Sequence, residues 1–134
     1  MHRPTGEKIM SIEATISNYY NSLAAMNPDG WLATLADNAV IYDPVGKPPL
    51  NPEKDSIKLF TILTTFYAKF EIVKESLFVV NNEAAVKWKM TVISKNGREA
   101  TAEGITTFEL NEADKITQVK AYWDENKLKA QLIR

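Results

Sequence analysis

Ile12, Ile16, Tyr19, Leu23 and Met26 recur at spacings of three and four, the apolar stripe of an amphipathic helix. Asn27-Pro28-Asp29-Gly30 stops that helix, and Asp29 is placed to cap a short second one through Ala36. Ala39-Val40-Ile41-Tyr42 then forms an apolar strand that Asp43-Pro44 ends. Asn51-Pro52-Glu53 opens a third helix, with proline in its first turn and Ile57, Phe60, Leu63 and Phe66 on one side. From residue 69 the texture changes to β-branched and aromatic residues, punctuated at Asn81-Asn82, Asn96-Gly97 and Glu112-Ala113-Asp114. Long antiparallel strands are predicted over about 70–80, 84–95, 98–110 and 116–123, and a short terminal helix over about 126–132. Asn96-Gly97 between two such runs is a strong hairpin signal. Helices first and strands afterwards is the α+β pattern, a curved sheet with helices against one face.

Composition narrows the chemistry more than the fold. The chain has 134 residues, 45% hydrophobic and 25% charged, which suits one globular domain with one core. Residues 1–11 read as a loose tail, in which Met10 offers a second start, and residues 12–134 as the domain. The tail has no apolar core of a secretory signal, and no apolar run approaches the length needed to span a bilayer. The expectation is a cytosolic protein without a membrane partner. Sixteen Lys and Arg against 17 Asp and Glu are scattered along the chain, so no basic stripe forms for a nucleic acid. Cysteine is absent and the single histidine is His2. Thiolate nucleophiles, a structural zinc, a Ser-His-Asp triad and a histidine-bound iron site are thereby excluded from the domain, and no cofactor or metal is expected. Any catalysis has to run on carboxylates, hydroxyls or lysines.

Two residues stand out on that ground. Asp43 closes an apolar strand with Ile41 on its own side, where it either points inward and is desolvated, with a raised pKa, or serves as turn punctuation before Pro44. Tyr19 lies near the middle of the first helix's stripe, as a core residue with its hydroxyl at the edge or as a donor into a pocket. Tyr20, about 100° further round, fits the stripe less well.

The segment Tyr42-Asp43-Pro44-Val45-Gly46-Lys47-Pro48-Pro49-Leu50 resembles the Asp-Pro-x-Gly-x-Pro-Pro segment of the bacterial ketosteroid isomerases. These belong to the nuclear transport factor 2-like (SnoaL-like) superfamily. Ala121-Tyr122-Trp123 and the Asn96-Gly97 turn are similar in the same register, and the resemblance runs from about residue 12 to 126. It implies a cone-shaped, curved antiparallel sheet with three N-terminal helices on its concave face, as in cystatin-like folds. It implies that Asp43 is the proton-shuttling base and that Tyr19 donates a hydrogen bond to the developing enolate oxygen. The family's second donor, a protonated acid, falls on Thr106, and the tyrosines that support the catalytic tyrosine in one branch fall on Leu35 and Phe60.

A two-residue turn at Asn96-Gly97 pairs Lys87 with Thr106 on one sheet face. An ammonium there would stabilise an oxyanion. The pattern Val86, Trp88, Met90, Val92 competes, because it looks like the core-facing side of the same strand. On the first register Phe108, Val119 and Trp123 share the Thr106 face and, with Phe60, form an apolar wall for a small flat ligand. Trp88, Val92 and Ile105 then lie outside and suggest a homodimer interface, which the resembled family also has. The sequence therefore points to a cofactor-independent isomerase or related proton-transfer enzyme acting on an apolar steroid-, terpenoid- or polyketide-like carbonyl compound. The other reading is a non-catalytic ligand-binding or dimeric interaction module.

Overall fold

The structure, a computed structural model, describes residues 5–133, with side chains from Ile12 onward. Helix α1 spans Thr5–Ala24, α2 Pro28–Leu32, strand β1 Leu35–Tyr42, α3 Pro52–Phe66, β2 Tyr67–Val80, β3 Glu83–Ser94, β4 Glu99–Leu110, β5 Ile116–Tyr122 and α4 Glu125–Leu132. The curved, unclosed sheet has the order β1-β5-β4-β3-β2, and its apolar inner face packs against the helices. No helix among the described residues is long and apolar enough to cross a membrane.

Several expectations need correction. Helix α1 starts at Thr5, so part of the presumed tail is helical; Glu7-Lys8-Ile9-Met10 contains good helix formers and no breaker. Asn27, not Asp29, caps α2, its Oδ1 accepting from the Gly30 N–H at 3.1 Å. The helix ends at Leu32 because Thr34 turns its hydroxyl back to the Trp31 carbonyl at 2.7 Å. Leu35 is already a strand residue, opposite Ile116. The sheet is antiparallel from β2 through β5, but β1 joins its edge parallel to β5.

The consequential difference is one of register. The β3–β4 turn has three residues, Lys95-Asn96-Gly97: Ser94 N–H bonds the Arg98 carbonyl at 2.8 Å, and Gly97 takes a left-handed φ of 87°. Three-residue hairpins commonly close with glycine in that conformation. One added residue moves every pairing by one and exchanges the faces. Thr106 is therefore opposite Val86, and Lys87 is opposite Ile105. Val86, Trp88, Met90 and Val92 are all buried. Lys87 points outward, where its ammonium pairs with Glu75 at 2.8 Å. It is not available to an oxyanion beside Thr106.

Candidate active site

Between the sheet and the helices lies a cavity of about 340 Å³, toward the lower end of small-molecule sites. Its wall is mostly apolar, with Leu59, Leu63, Phe70, Ile72, Met90 and Val119 among the lining residues. The residues of the lining that carry polar groups are Asp43, Lys47, Tyr67, Glu125, Tyr19, Tyr20, Thr106, Trp31, Trp88 and Trp123; Tyr20 Oη and Trp31 Nε1 are themselves buried.

Asp43 is held from both sides of its loop. Before it, Ile41 and Leu50 exchange backbone hydrogen bonds of 3.2 and 2.8 Å; after it, Val45 N–H bonds the Ala121 carbonyl at 2.8 Å and pins the loop to β5. The Asp43–Pro44 peptide is cis. The Trp123 indole donates to Asp43 Oδ1 at 2.7 Å. The carboxyl is crowded by protein atoms, and this loss of hydration pushes its pKa up from the ordinary 3.8 to about 6; the Trp123 N–H opposes the rise and the Glu125 carboxylate adds to it. By its surface area Asp43 is nevertheless an exposed residue, and it lines the cavity. It is thus poised to exchange protons near neutrality while remaining reachable by a ligand.

Trp123 owes its position to Gly104. A Cβ on Gly104 would come within 2.8 Å of Trp123 Cβ, 2.8 Å of the Trp88 ring and 2.5 Å of the Tyr122 carbonyl, so only glycine lets both indoles pack at this point on the sheet. Their rings meet edge to face at 5.9 Å. Replacing Trp123 by Phe removes the N–H that stabilises the carboxylate, and the Asp43 pKa should rise further. The acidic limb of a kcat/KM profile is expected to move to higher pH, whereas an unmoved limb would separate Trp123 from the titrating group.

Tyr19 is buried, edge to face with Phe108 at 5.3 Å and with Tyr20 at 5.4 Å. Burial, and after it the negative charge of Asp43, holds its phenol well above the ordinary value, while the nearby Trp31 indole acts the other way. Thr106 is buried and accepts a hydrogen bond from Trp88 Nε1 at 2.8 Å. Val119 and Trp123 line the cavity. Phe60 and Phe108 do not: they form a second layer, Phe60 against Trp31 at 5.5 Å and Phe108 behind the two tyrosines. Trp88 and Val92 are inner-face residues, so of the three proposed interface residues only Ile105 lies outside, 47% exposed. Sequence reasoning underrated Tyr20 and passed over Trp31 and Glu125. The signal for Trp88 was the competing alternation through Val86, Met90 and Val92.

Residues 16–119 match the SnoaL-like domain family, and the chain belongs to that family. Its fold is similar to that of RV0760c from Mycobacterium tuberculosis, solved in complex with estradiol-17β-hemisuccinate, at 22% identity and a TM-score of 0.75 over 87% of this chain and 96% of that one. The Δ5-3-ketosteroid isomerase from Mycobacterium sp. is 25% identical with a TM-score of 0.69, over 87% and 95% of the two chains. An epoxide hydrolase of M. tuberculosis is 17% identical with a TM-score of 0.76, over 93% and 91%. The fold thus hosts isomerase and epoxide hydrolase chemistry alike, and the choice rests on the site.

Proposed function

We propose that the protein is a cytosolic, cofactor-independent isomerase or related proton-transfer enzyme acting on a small apolar carbonyl compound. The observation that carries this reading is Asp43, a carboxylate with its pKa near 6 on the wall of a largely apolar cavity that also holds the Tyr19 and Thr106 hydroxyls. In the proposed step the Asp43 carboxylate takes a proton from the carbon α to the carbonyl. The Tyr19 and Thr106 hydroxyls donate to the oxygen as charge gathers there, and Asp43 returns the proton to another carbon. Val119 and Trp123 contribute to the apolar contact surface. A β,γ-unsaturated cyclic ketone gains a strong ultraviolet band when its double bond moves into conjugation. Growth of that band with enzyme, lost in Asp43→Asn, supports the proposal; binding of the ketone without turnover refutes it.

Epoxide hydrolysis is less well supported. A water-activating carboxylate–arginine network is wanted there, and the arginines are Arg3, Arg98 and Arg134. Arg98 follows the β3–β4 turn, away from the cavity lining, and the other two lie outside the described residues. A non-catalytic ligand carrier is favoured by one observation, a neutral Thr106 hydroxyl where the resembled enzymes hold an acid.

Homodimerisation through the outer sheet face belongs to the same proposal. Val73, Phe78, Val80, Ile105 and Tyr122 are each between 47% and 69% exposed, and their strand positions place them on that face. Phe78→Lys with Ile105→Lys is expected to halve the mass seen by analytical ultracentrifugation; a wild type already monomeric at high micromolar concentration would contradict the interface.

A further inference from the structure

Exposure along the cavity wall locates its mouth. Tyr19, Trp31, Trp88 and Thr106 are buried lining residues, whereas Asp43, Lys47, Pro48 and Ile62 line the same cavity and are open to solvent. The Asp43 loop borders that opening and has two backbone anchors. Val45 N–H bonds the Ala121 carbonyl at 2.8 Å, and Leu50 exchanges backbone bonds with Ile41. Between the anchors, residues 46–49 are all exposed. The Lys47 N–H bonds the Pro44 carbonyl at 3.3 Å, within the loop, and Pro48 and Pro49 have no N–H to give. The polar tie of this segment to another element, among the described residues, is the ion pair of Lys47 Nζ with Glu125 Oε1. Glu125 stands in the first turn of α4, its Oε1 is buried, and it lines the cavity with Leu128 of the same helix.

We propose that the Lys47–Glu125 ion pair is a strap across the cavity mouth, which makes these two residues the determinants of how long a ligand the cavity accepts. The inference concerns access and stands whether or not Asp43 abstracts protons. With the pair made, a ligand has to fit the roughly 340 Å³ beneath it. One whose substituent projects past Pro48 has to part Lys47 from Glu125 and leave a buried carboxylate oxygen without its nearer cation, an unfavourable exchange. The strap is able to open. The Lys47 side chain is 53% exposed and that of Glu125 24%, so the pair is weak and screened by salt. Gly46, with a left-handed φ of 104°, supplies a pivot beside the Val45 anchor, and Pro48-Pro49 stiffens the segment that swings on it. Lys129 Nζ lies 3.8 Å from the same Glu125 oxygen. It belongs to α4 itself, so it neutralises Glu125 without holding the loop.

The chain's three tryptophans, Trp31, Trp88 and Trp123, all line the cavity, so quenching of their fluorescence by acrylamide, a small uncharged probe, reads access without any ligand. Lys47→Met is expected to raise the quenching constant about two- to five-fold, the range a half-exposed ion pair supports. Glu125→Gln should do the same, and the double variant no more than either. Salt at about 1 M should bring the wild type toward the variants and leave them unmoved. Lys129→Met is expected to stay at the wild-type level, and the exchange of Lys47→Glu with Glu125→Lys to return to it. Equal quenching of Lys47→Met and wild type would overturn the strap. So would a rise in Lys129→Met as large as in Lys47→Met, which assigns the effect to charge around Glu125, or a rise that the exchanged pair fails to reverse, which assigns it to a loosened fold. Selection by length is read from binding of 2-naphthol and 6-butyl-2-naphthol. Lys47→Met is expected to shift the preference toward the longer probe by the same factor as the quenching; a preference no greater than in the wild type, including a longer probe that binds neither protein, would overturn that selection.

Discussion

Asp43→Asn is expected to lower turnover of a β,γ-unsaturated ketone by about 10²–10⁴-fold, the usual contribution of a positioned general base, while leaving the protein at least as stable at neutral pH. An amide of the same shape still accepts the Trp123 N–H at the observed 2.7 Å contact, but it takes no proton from carbon. The stability half follows from the sign of the pKa shift. Asp43 binds its proton more tightly folded than unfolded, about 6 against 3.8. Its contribution to stability is therefore fully present below the unfolded value and is lost as pH rises through the folded one. At neutral pH the ionised carboxylate carries the cost of its surroundings, and asparagine removes it. The same comparison below about pH 4 should show no such advantage, because aspartic acid is then neutral in both states. Urea unfolding at the two pH values reads this directly. A stability loss near neutrality would instead make Asp43 a structural element of the loop.

Tyr19→Phe is expected to reduce kcat by about 10²–10³-fold, as removal of one oxyanion donor does in other enzymes, with little change in KM. The charge on the oxygen develops only as the α-proton leaves, so the loss falls on the transition state rather than on the bound ketone. Burial holds the phenol neutral well beyond neutral pH, so Tyr19 acts as a donor and does not surrender its proton. The ring contacts with Tyr20, Trp31 and Phe108 survive in phenylalanine, which keeps the fold out of the comparison. Equal rates for Tyr19→Phe and wild type would remove Tyr19 from the mechanism.

What could be seen in the sequence, and what could not, divides along physical lines. The α1 stripe, the proline-opened α3 and the arrest of β1 at Asp43-Pro44 are local signals; α3 and the end of β1 stand where expected, while α1 extends upstream to Thr5 and β1 begins already at Leu35. The turn at Asn96-Gly97 was equally visible, but its length was not. Both a two-residue and a three-residue loop accommodate a glycine with positive φ, and the difference decides whether Lys87 or Val86 faces Thr106. The alternation Val86, Trp88, Met90, Val92 held the answer, since burial of four large side chains outweighs an idealised turn. The parallel docking of β1 on β5 and the indole hydrogen bonds depend on contacts between residues distant in the chain. Trp123 to Asp43 spans 80 positions, and the space for both indoles comes from a missing Cβ at Gly104. Phe60 and Phe108 were read as ligand-contacting wall; the tertiary layering puts Trp31 and the tyrosines between them and the cavity.

Incorporation of deuterium at the α-carbon of a small bicyclic ketone in D₂O, followed by NMR, tests the central claim most directly, because it reports proton abstraction whether or not a double bond moves. The wild type is expected to exchange the α-protons well above the buffer rate, with a dependence on pD that follows ionisation of a group near 6, and Asp43→Asn to exchange them at the buffer rate. Exchange at equal rates in both proteins, or a wild type that binds the ketone and leaves its α-protons in place, would contradict Asp43 as the base.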